Sequence, residues 1–205
     1  ALLRNAEILS IVKRSDEFGI YFDNLHVDFG KTIDRSRDVV DRLTRGIGYL
    51  LKKNKVELIK GEGNLKTSNT VTVSGERTLT GKHIILATGA RPRSIPALPL
   101  DGDRILTSRE ALELKALPES VSIVGGGATG AEFAYLYNSY GVKVTVIELL
   151  PHLLPNEDEE ISVELEKSFT NQGINIMTGS TVKSFTQHET MNTVTVVKNG
   201  GKEVS

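Results

Sequence analysis

Three glycines between an apolar run and a helix-like run constrain the fold of this chain more than any other feature. They stand at Gly125, Gly127 and Gly130, after SVSIV (120–124) and before AEFAYLYNSYG (131–141). In the order strand, glycine turn, helix, the first glycine permits a tight turn and the second lets a pyrophosphate approach the backbone. The third lets the helix press against the strand. Because the free N–H groups at the start of such a helix attract phosphates, the motif predicts a βαβ nucleotide-binding turn.

The run VKVTVIE (142–148) supplies a second strand that ends in an acid at the expected distance. Glu148 stands 21 residues beyond Gly127. A carboxylate at this spacing accepts hydrogen bonds from a ribose 2′-hydroxyl and repels a 2′-phosphate. No arginine follows closely in ELLPHLLPNE (148–157), so the sequence favours NAD over NADP. The alternative is a structural βαβ turn with an incidental glutamate.

The remaining elements follow from periodicity and turn residues. Helices are predicted over 1–14, 31–53, 128–140 and 156–169, the last capped by Asn156. A further short helix is predicted within TSREALEL (107–114), with Ser108 or Thr107 as its cap. Residues 91–104 contain three prolines and predict a connection or domain boundary. Strands are predicted over 56–65, 69–75, 77–81, 82–90, 120–124, 142–148, 174–180, 181–187 and 192–201, the last two antiparallel.

Composition excludes several classes of function. With 25 basic and 26 acidic residues, no net field recruits nucleic acid or an acidic membrane, and no run of about 18 apolar residues is present. The chain has no cysteine, so it offers no disulfide, thiolate nucleophile or thiolate metal ligand. Its four histidines lack metal-ligand spacing, so we predict no metal site. The N-terminus lacks both a Met and a signal-peptide layout, which suggests a cut or processed end.

Two features are ambiguous when taken from the residues alone. Glu132 is expected on the first turn of the helix after the glycines, where the dipole would stabilise any carboxylate. The run HIILATG (83–89) ends an apolar strand with Ala-Thr-Gly, which suits a tight strand exit. Neither feature defines a site without further context.

Taken together, the motifs resemble those of the flavin-dependent disulfide reductases, within them the dihydrolipoamide dehydrogenase branch. ALLRNAEIL resembles the stretch after the redox-active Cys-x4-Cys segment, and RSRDVVDRLTRGIGYLLKKNKVELIKGEG resembles the helix and strand of the FAD domain. HIILATGARPRSIP resembles the second flavin motif. SIVGGGATGAEFA and VKVTVIELLPHLLPNEDEEIS resemble the NAD fingerprint, and the continuation LLPNEDEEIS is typical of the lipoamide branch.

The resemblance implies a role for individual residues. Glu148 would bind the adenosine ribose, Glu132 would lie beside the nicotinamide, and Val182 would line the adenine pocket. The NAD pyrophosphate would be held by Gly125, Gly126, Gly127, Ala128, Thr129 and Gly130. The flavin nucleotide would be contacted by Glu62, Gly63, Ala87, Thr88 and Gly89, and no catalytic residue falls in this chain.

The implied fold class is α/β, with two partial Rossmann-like domains. Residues 1–111 would form part of an FAD-binding domain without its N-terminal fingerprint and redox cysteines. Residues 112–205 would form an NAD-binding domain, a βαβ unit plus antiparallel strands, without its C-terminal strand. The chain would then be an interior part of a longer, homodimeric enzyme.

The implied activity is that of a dihydrolipoyl dehydrogenase. Such an enzyme re-oxidises protein-bound dihydrolipoamide through a disulfide and FAD and reduces NAD⁺ to NADH, with a role in cell redox homeostasis. Its partners would be lipoyl-bearing acyltransferases of 2-oxo acid dehydrogenase complexes or glycine-cleavage carrier proteins, in the cytoplasm or, in a eukaryote, the mitochondrial matrix. This chain alone is expected to be inactive. The alternatives are another branch of the class (soluble transhydrogenase, mercuric or glutathione reductase) and a non-catalytic nucleotide-binding module.

Overall fold

The structure, a computed structural model, describes residues 1–188, 192–198, 201 and 203–204. Its helices are α1 (Leu2–Val12), α2 (Phe29–Lys53), α3 (Ser108–Ala111), α4 (Ala128–Ser139) and α5 (Glu159–Asn171), with a short 3₁₀ helix at Ser15–Phe18. Its strands are β1 (Gly63–Thr67), β2 (Thr70–Val73), β3 (Arg77–Thr80), β4 (Ser120–Val124), β5 (Lys143–Ile147), β6 (Asn175–Met177), β7 (Ser180–Thr186), β8 (Thr193–Lys198) and β9 (Glu203–Val204). None of the helices in these described ranges is long and apolar enough to cross a membrane.

The chain divides into two compact units. The first unit contains Ala1–Asp38 together with Arg93–Ser205, and the second contains Val39–Pro92. The predicted boundary between residues 111 and 112 falls inside the first unit. The assignment of residues 1–111 to one domain and 112–205 to another therefore stays a prediction from resemblance.

A parallel sheet of order β4-β5-β6 forms the centre of the first unit. Val121 is in register with Val144, and Val146 with Ile176, so β4, α4 and β5 form the predicted βαβ unit. Parallel strands are covered on both faces, which is why β5 reads as a nearly continuous apolar run. The buried cluster around this sheet consists of Ala131, Ala134, Tyr137, Val142, Val144, Val146, Leu153, Phe169 and Ile174.

The N-terminal helices pack against α4 within the same unit. Apolar side chains of α1 and the start of α2 form a second buried cluster with Leu136 of α4. The rings of Phe29 and Tyr140 meet edge to face with centroids 4.9 Å apart, and Lys13 Nζ donates to the Ser139 carbonyl at 2.7 Å. The predicted helices at 1–14 and 31–53 are confirmed, with ends that differ by at most two residues.

An antiparallel sheet of order β7-β8-β9 completes the first unit. Val182 is in register with Val196, which confirms the antiparallel prediction for the last two strands as far as Lys198. Residues 199, 200 and part of the remaining C-terminus lie outside the described ranges. Ile147 of β5 packs with Val182 and Val196, so the end of the parallel sheet and the antiparallel sheet share one small apolar cluster.

The second unit contains an antiparallel sheet of order β1-β2-β3 and the C-terminal half of α2. Within residues 39–92, all of which the structure describes, Val73 is the only buried apolar side chain. The apolar stripe of α2 in this unit remains exposed at Val40, Leu43, Ile47 and Leu50. This unit therefore has very little hydrophobic core of its own.

Two strand predictions in the second unit differ from the structure. The prediction of a strand over 82–90 is wrong, since this segment is irregular and Ile85 is 90% exposed. An apolar strand of this type needs neighbours on both sides, and no described strand pairs with it. The strand predicted over 56–65 begins only at Gly63, the first residue with a register partner, Val73.

Of the two helix N-caps predicted from the sequence, one is confirmed and one is wrong. Thr107 is the N-cap of α3, and its side chain accepts the Arg109 N–H at 3.2 Å, which selects it over Ser108. The prediction of Asn156 as the cap of α5 is wrong. Asp158 is the N-cap because its carboxylate accepts the Glu160 N–H at 2.9 Å, whereas residues 154–157 form a turn before the helix.

Candidate nucleotide-binding site

The three glycines of the turn lack side chains for three different reasons. Gly125 has φ +108°, a conformation that L side chains rarely adopt, and its N–H donates to the Ile147 carbonyl at 2.9 Å. A Cβ on Gly130 would overlap the Gly125 carbonyl oxygen, so only glycine lets α4 approach the end of β4. A Cβ on Gly127 would meet nothing within 4 Å. The space above Gly127 is therefore open to a ligand.

The turn ends at the N-terminus of α4, which presents unpaired backbone donors. Gly127 is the N-cap, with no side chain to bond to the first turn, and the first intrahelical bond runs from Ala131 N–H to the Gly127 carbonyl at 2.9 Å. The N–H groups of Ala128, Thr129 and Gly130 thus have no partner within the helix. Together with the helix dipole they form an electropositive edge suited to an anion such as a pyrophosphate.

Glu148 places a buried carboxylate beside this edge. It follows β5 directly and is 7% exposed. Its Oε2 accepts the Gly126 N–H at 2.6 Å, and its Oε1 accepts the Leu150 N–H at 2.8 Å. No described lysine, arginine or histidine forms an ion pair with it. Each carboxylate oxygen has two acceptor positions, so each retains one for a hydroxyl donor such as those of a ribose.

Residues 153 and 154 cover the back of the turn, a role that the sequence did not predict for the segment after β5. The Leu154 N–H donates to the Gly126 carbonyl at 2.8 Å. The side chain of Leu153 is fully buried, and a Cβ on Gly126 would overlap its Cδ2. The largely apolar run LLPHLLP after β5 indicates a buried segment. Its periodicity does not reveal that the segment folds back onto the glycine turn.

Glu132 and Val182 occupy different positions relative to the turn. The expectation that Glu132 lies on the first turn of the helix is wrong, because α4 begins at Ala128 and its first turn contains no acid. Glu132 is exposed on the second turn, beyond the strongest part of the dipole. Val182 is buried in the apolar cluster with Ile147, at the same end of the parallel sheet as Glu148.

The five residues expected to contact a flavin all lie in the second unit. Glu62 and Gly63 stand at the start of β1, where the Glu62 carbonyl accepts the Ser74 N–H at 2.8 Å. Ala87, Thr88 and Gly89 lie in the irregular segment after β3, with Gly89 at φ +75°. In the described part of this unit, no parallel strand or helix N-terminus stands beside residues 87–89, so these residues do not form a complete phosphate-binding cradle.

Among the described residues, no cluster of three or more histidine, aspartate or glutamate side chains is placed to hold a metal ion.

Comparisons with known proteins give the family and the relatives of this chain. The sequence profile of the family described as pyridine nucleotide-disulphide oxidoreductase matches residues 2–205. A dihydrolipoyl dehydrogenase of Chlorobaculum parvum is 46% identical over 184 residues, covering 88% of this chain and 39% of the relative. One of Bacillus subtilis is 39% identical over 208 residues, covering 96% of this chain and 44% of the relative.

Solved structures give the same result for the fold. The crystal structure of LpdA from Mycobacterium tuberculosis matches with a TM-score of 0.81 and 29% identity, over 99% of this chain and 45% of that one. The flavoprotein disulfide reductase RclA from Escherichia coli, described as HOCl-induced, matches with a TM-score of 0.74 and 26% identity, over 99% of this chain and 42% of that one. The predicted α/β fold class is thereby confirmed.

The curated relatives are much longer than this chain. The chain spans about two fifths of the curated relatives named above. Proteins of the matching family use FAD and NAD as cofactors. The family match extends over almost the whole chain, from residue 2 to residue 205. The chain therefore belongs to the pyridine nucleotide-disulphide oxidoreductase family.

Proposed function

We propose that this chain carries the NAD site of a dihydrolipoyl dehydrogenase. The observation that carries the proposal is the buried Glu148 carboxylate, bonded to the Gly126 N–H of the glycine turn and lying beside the open N-terminus of α4. Among the described residues its partners are two backbone N–H groups and no cation, which leaves acceptor positions on the carboxylate for a ligand hydroxyl. The curated relatives named dihydrolipoyl dehydrogenase support the choice of reaction.

Different residues of the site would bind different parts of NAD. The backbone N–H groups of Gly127, Ala128, Thr129 and Gly130 bind the pyrophosphate. Gly125 and Gly126 shape the turn beneath it, because their N–H groups already donate to the Ile147 carbonyl and to Glu148. Glu148 accepts hydrogen bonds from the adenosine ribose, and its charge repels the 2′-phosphate of NADP. Val182 lines the adenine side and Glu132 lies beside the nicotinamide, both on the strength of the family resemblance. When bound, NAD supplies the hydride acceptor of the reaction.

The contacts of the second unit with FAD are proposed on resemblance alone. Glu62, Gly63, Ala87, Thr88 and Gly89 match family positions beside the flavin nucleotide. The exposed Ile85 and Leu86 suit a segment that completes its sheet only with further strands. Because the cradle is incomplete in the described unit, no catalytic step is assigned to these residues.

The setting of the whole protein is proposed in the same way. Its partners are lipoyl-bearing acyltransferases of 2-oxo acid dehydrogenase complexes or glycine-cleavage carrier proteins, and it acts as a homodimer in redox homeostasis. Its location is the cytoplasm, or the mitochondrial matrix in a eukaryote. The similarity to RclA favours, as second candidate, another flavoprotein disulfide reductase of the same family.

Two activity measurements test the proposal: the preference of the full-length protein for NAD or NADP, and the turnover of this cysteine-free chain. The natural full-length protein is expected to reduce NAD with dihydrolipoamide and to use NADP at least tenfold less efficiently, since Glu148 disfavours the 2′-phosphate. This 205-residue chain, which has no cysteine, is expected to give no turnover. Strong NADP preference would contradict the role of Glu148, and no activity with dihydrolipoamide would favour the second candidate.

A further inference from the structure

Residues 149–157, which we call the clamp segment, lie against the back of the glycine turn. The Leu154 N–H donates to the Gly126 carbonyl at 2.8 Å, while the Gly126 N–H donates to Glu148 Oε2 at 2.6 Å. The orientation of the Gly126 backbone is thus fixed from both sides. The fully buried Leu153 side chain fills the space where a Gly126 Cβ would stand. The positions of Gly126 and Glu148 therefore depend on where the clamp segment lies.

Side chains of α5 hold the clamp segment in place. Ser162 Oγ donates to the Leu154 carbonyl at 3.4 Å, and the shorter bond to the segment's backbone is made by Glu166. Glu166 Oε1 accepts the Leu153 N–H at 2.8 Å, and the Glu166 side chain is only 23% exposed. The same oxygen lies 3.8 Å from His152 Nδ1, and His152 Nε2 lies 3.2 Å from Glu159 Oε1. Two carboxylates of α5 thus face the clamp segment, and Glu166 is the one that bonds to its backbone.

Neighbouring acids on the same helix do not share this role. Glu164 stands two residues away, has a side chain that is 71% exposed, and forms an ion pair with Lys167. Among the described acids of α5, Glu166 is therefore the one that connects the helix through the Leu153 backbone to the glycine turn. Removing its acceptor would leave a largely buried N–H unsatisfied, which costs more than the hydrogen bond itself contributes.

We propose that Glu166 is a positioning residue for the adenosine half of NAD. It would act through Leu153 and Gly126 on the carboxylate of Glu148, because its bond is to the Leu153 N–H. The inference rests on the proposed NAD site and adds to it a residue 18 positions beyond the ribose-binding acid. Removing residues that orient the ligands of a metal site commonly lowers affinity by about 10-fold or more, and we expect an effect of that size from the residue that orients the Gly126–Glu148 pair.

The test is calorimetric titration of the full chain with NAD and with ADP-ribose, which lacks the nicotinamide. Glu166→Ala is expected to raise the Kd for both ligands by about 10-fold and by equal factors, because the adenosine side is affected. Glu166→Gln keeps an oxygen that can accept the Leu153 N–H, so it should bind within about twofold of the parent. Glu164→Ala, the matched control, should leave both Kd values unchanged.

Each outcome separates this inference from the proposed function. If the parent chain binds neither ligand, the NAD site itself is wrong. If the parent binds and Glu166→Ala binds equally well, the positioning role is wrong and the site remains. Equal losses in the Ala and Gln variants would also contradict it. Should Glu166→Ala fail to fold, Glu166→Asp, which withdraws the carboxylate by one methylene, must weaken both ligands while Glu164→Asp does not.

Discussion

Gly127 and Gly130 stand three residues apart in one turn, but only one of them is required by the packing of the protein. A Cβ on Gly130 would overlap the Gly125 carbonyl oxygen and lie 3.4 Å from Ile123 Cγ2. A Cβ on Gly127, whose φ is −71°, would point into open space. Packing of the protein requires glycine at position 130. If glycine is required at position 127, the requirement must come from a bound ligand.

This difference predicts opposite behaviour for two alanine variants. Gly130→Ala should destabilise the chain by about 1–3 kcal/mol, because the backbone it meets cannot move without shifting α4. Gly127→Ala should melt within about 2 °C of the parent chain but bind NAD at least about 10-fold more weakly, which is about 1.4 kcal/mol. Thermal unfolding and calorimetry measure both quantities. Equal melting temperatures for the two variants would contradict the packing role of Gly130.

At the scale of single residues, the sequence predicted where the motif residues lie better than it predicted which residues pack behind them. Gly125, Gly130 and Glu148 could be identified because each serves a motif with fixed spacing. Gly126 was included only as a neighbouring amide, although Leu153 packs where its Cβ would be. Glu166 could not be found, since its hydrogen bond to Leu153 joins residues 13 apart that no local pattern relates.

The start of α5 shows how a helix end is decided by a single side chain. Asp158 accepts the Glu160 N–H and adds a negative charge at the positive end of the helix dipole. Asn156, an equally good capping residue type, lies in the preceding turn. Propensity alone therefore could not choose between the two residues.

Alanine at these two positions should have unequal effects. Asp158→Ala is expected to lower the free energy of unfolding by about 1 kcal/mol, the usual value for a lost N-cap. Asn156→Ala should change it by less than about 0.5 kcal/mol, as for an ordinary surface position. Denaturant unfolding of the two variants checks this. A larger loss for Asn156→Ala would mean that the helix begins two residues earlier.

The short helix α3 carries a cap that responds to pH. The Thr107 hydroxyl bonds to the Glu110 carboxylate, which also accepts the Thr107 N–H at 2.8 Å. The hydroxyl bond first, and then the backbone bonds, lower the pKa of Glu110 below its ordinary value. A lowered folded-state pKa contributes stability above the unfolded-state pKa, and that stability is lost as pH falls through the folded-state value.

The melting temperatures of the parent and Glu110→Gln should therefore converge in acid. Near pH 7 the Gln variant should melt at the lower temperature, because it lacks the charged acceptor. The difference should shrink as the pH falls below the ordinary glutamate pKa of about 4.3. A difference that stays constant down to pH 3 would show that the charge of Glu110 does not contribute.

The sequence predicted correctly those helices and strands whose apolar faces pack against other elements of this chain. The βαβ unit and the antiparallel β7–β8 pair were predicted with small errors at their ends, because their apolar faces have partners within the same unit. Residues 82–90 have an equally apolar sequence, but in the described chain Ile85 and Leu86 are 90% and 66% exposed. A strand signal indicates a sheet only where neighbouring strands exist.

For the whole molecule, the two units differ in how completely they are built. The first unit has a contiguous core around the parallel sheet, and every residue proposed to bind NAD lies in it. The second unit buries one apolar side chain and leaves the stripe of α2 exposed. An exposed apolar face of this kind marks a surface that is covered in the functional state. Family membership and fold follow from sequence, whereas the completeness of each unit does not.

The central claim, that the glycine turn and Glu148 form an NAD site, is tested most directly by titrating the 205-residue chain with NAD in a calorimeter. The parent chain should bind one NAD, and Gly127→Val, with its circular dichroism spectrum unchanged, should bind none. The open space above Gly127 is the reason, since a valine would occupy it. No heat from a folded parent chain, or equal heat from both proteins, would contradict the claim and leave a structural βαβ unit.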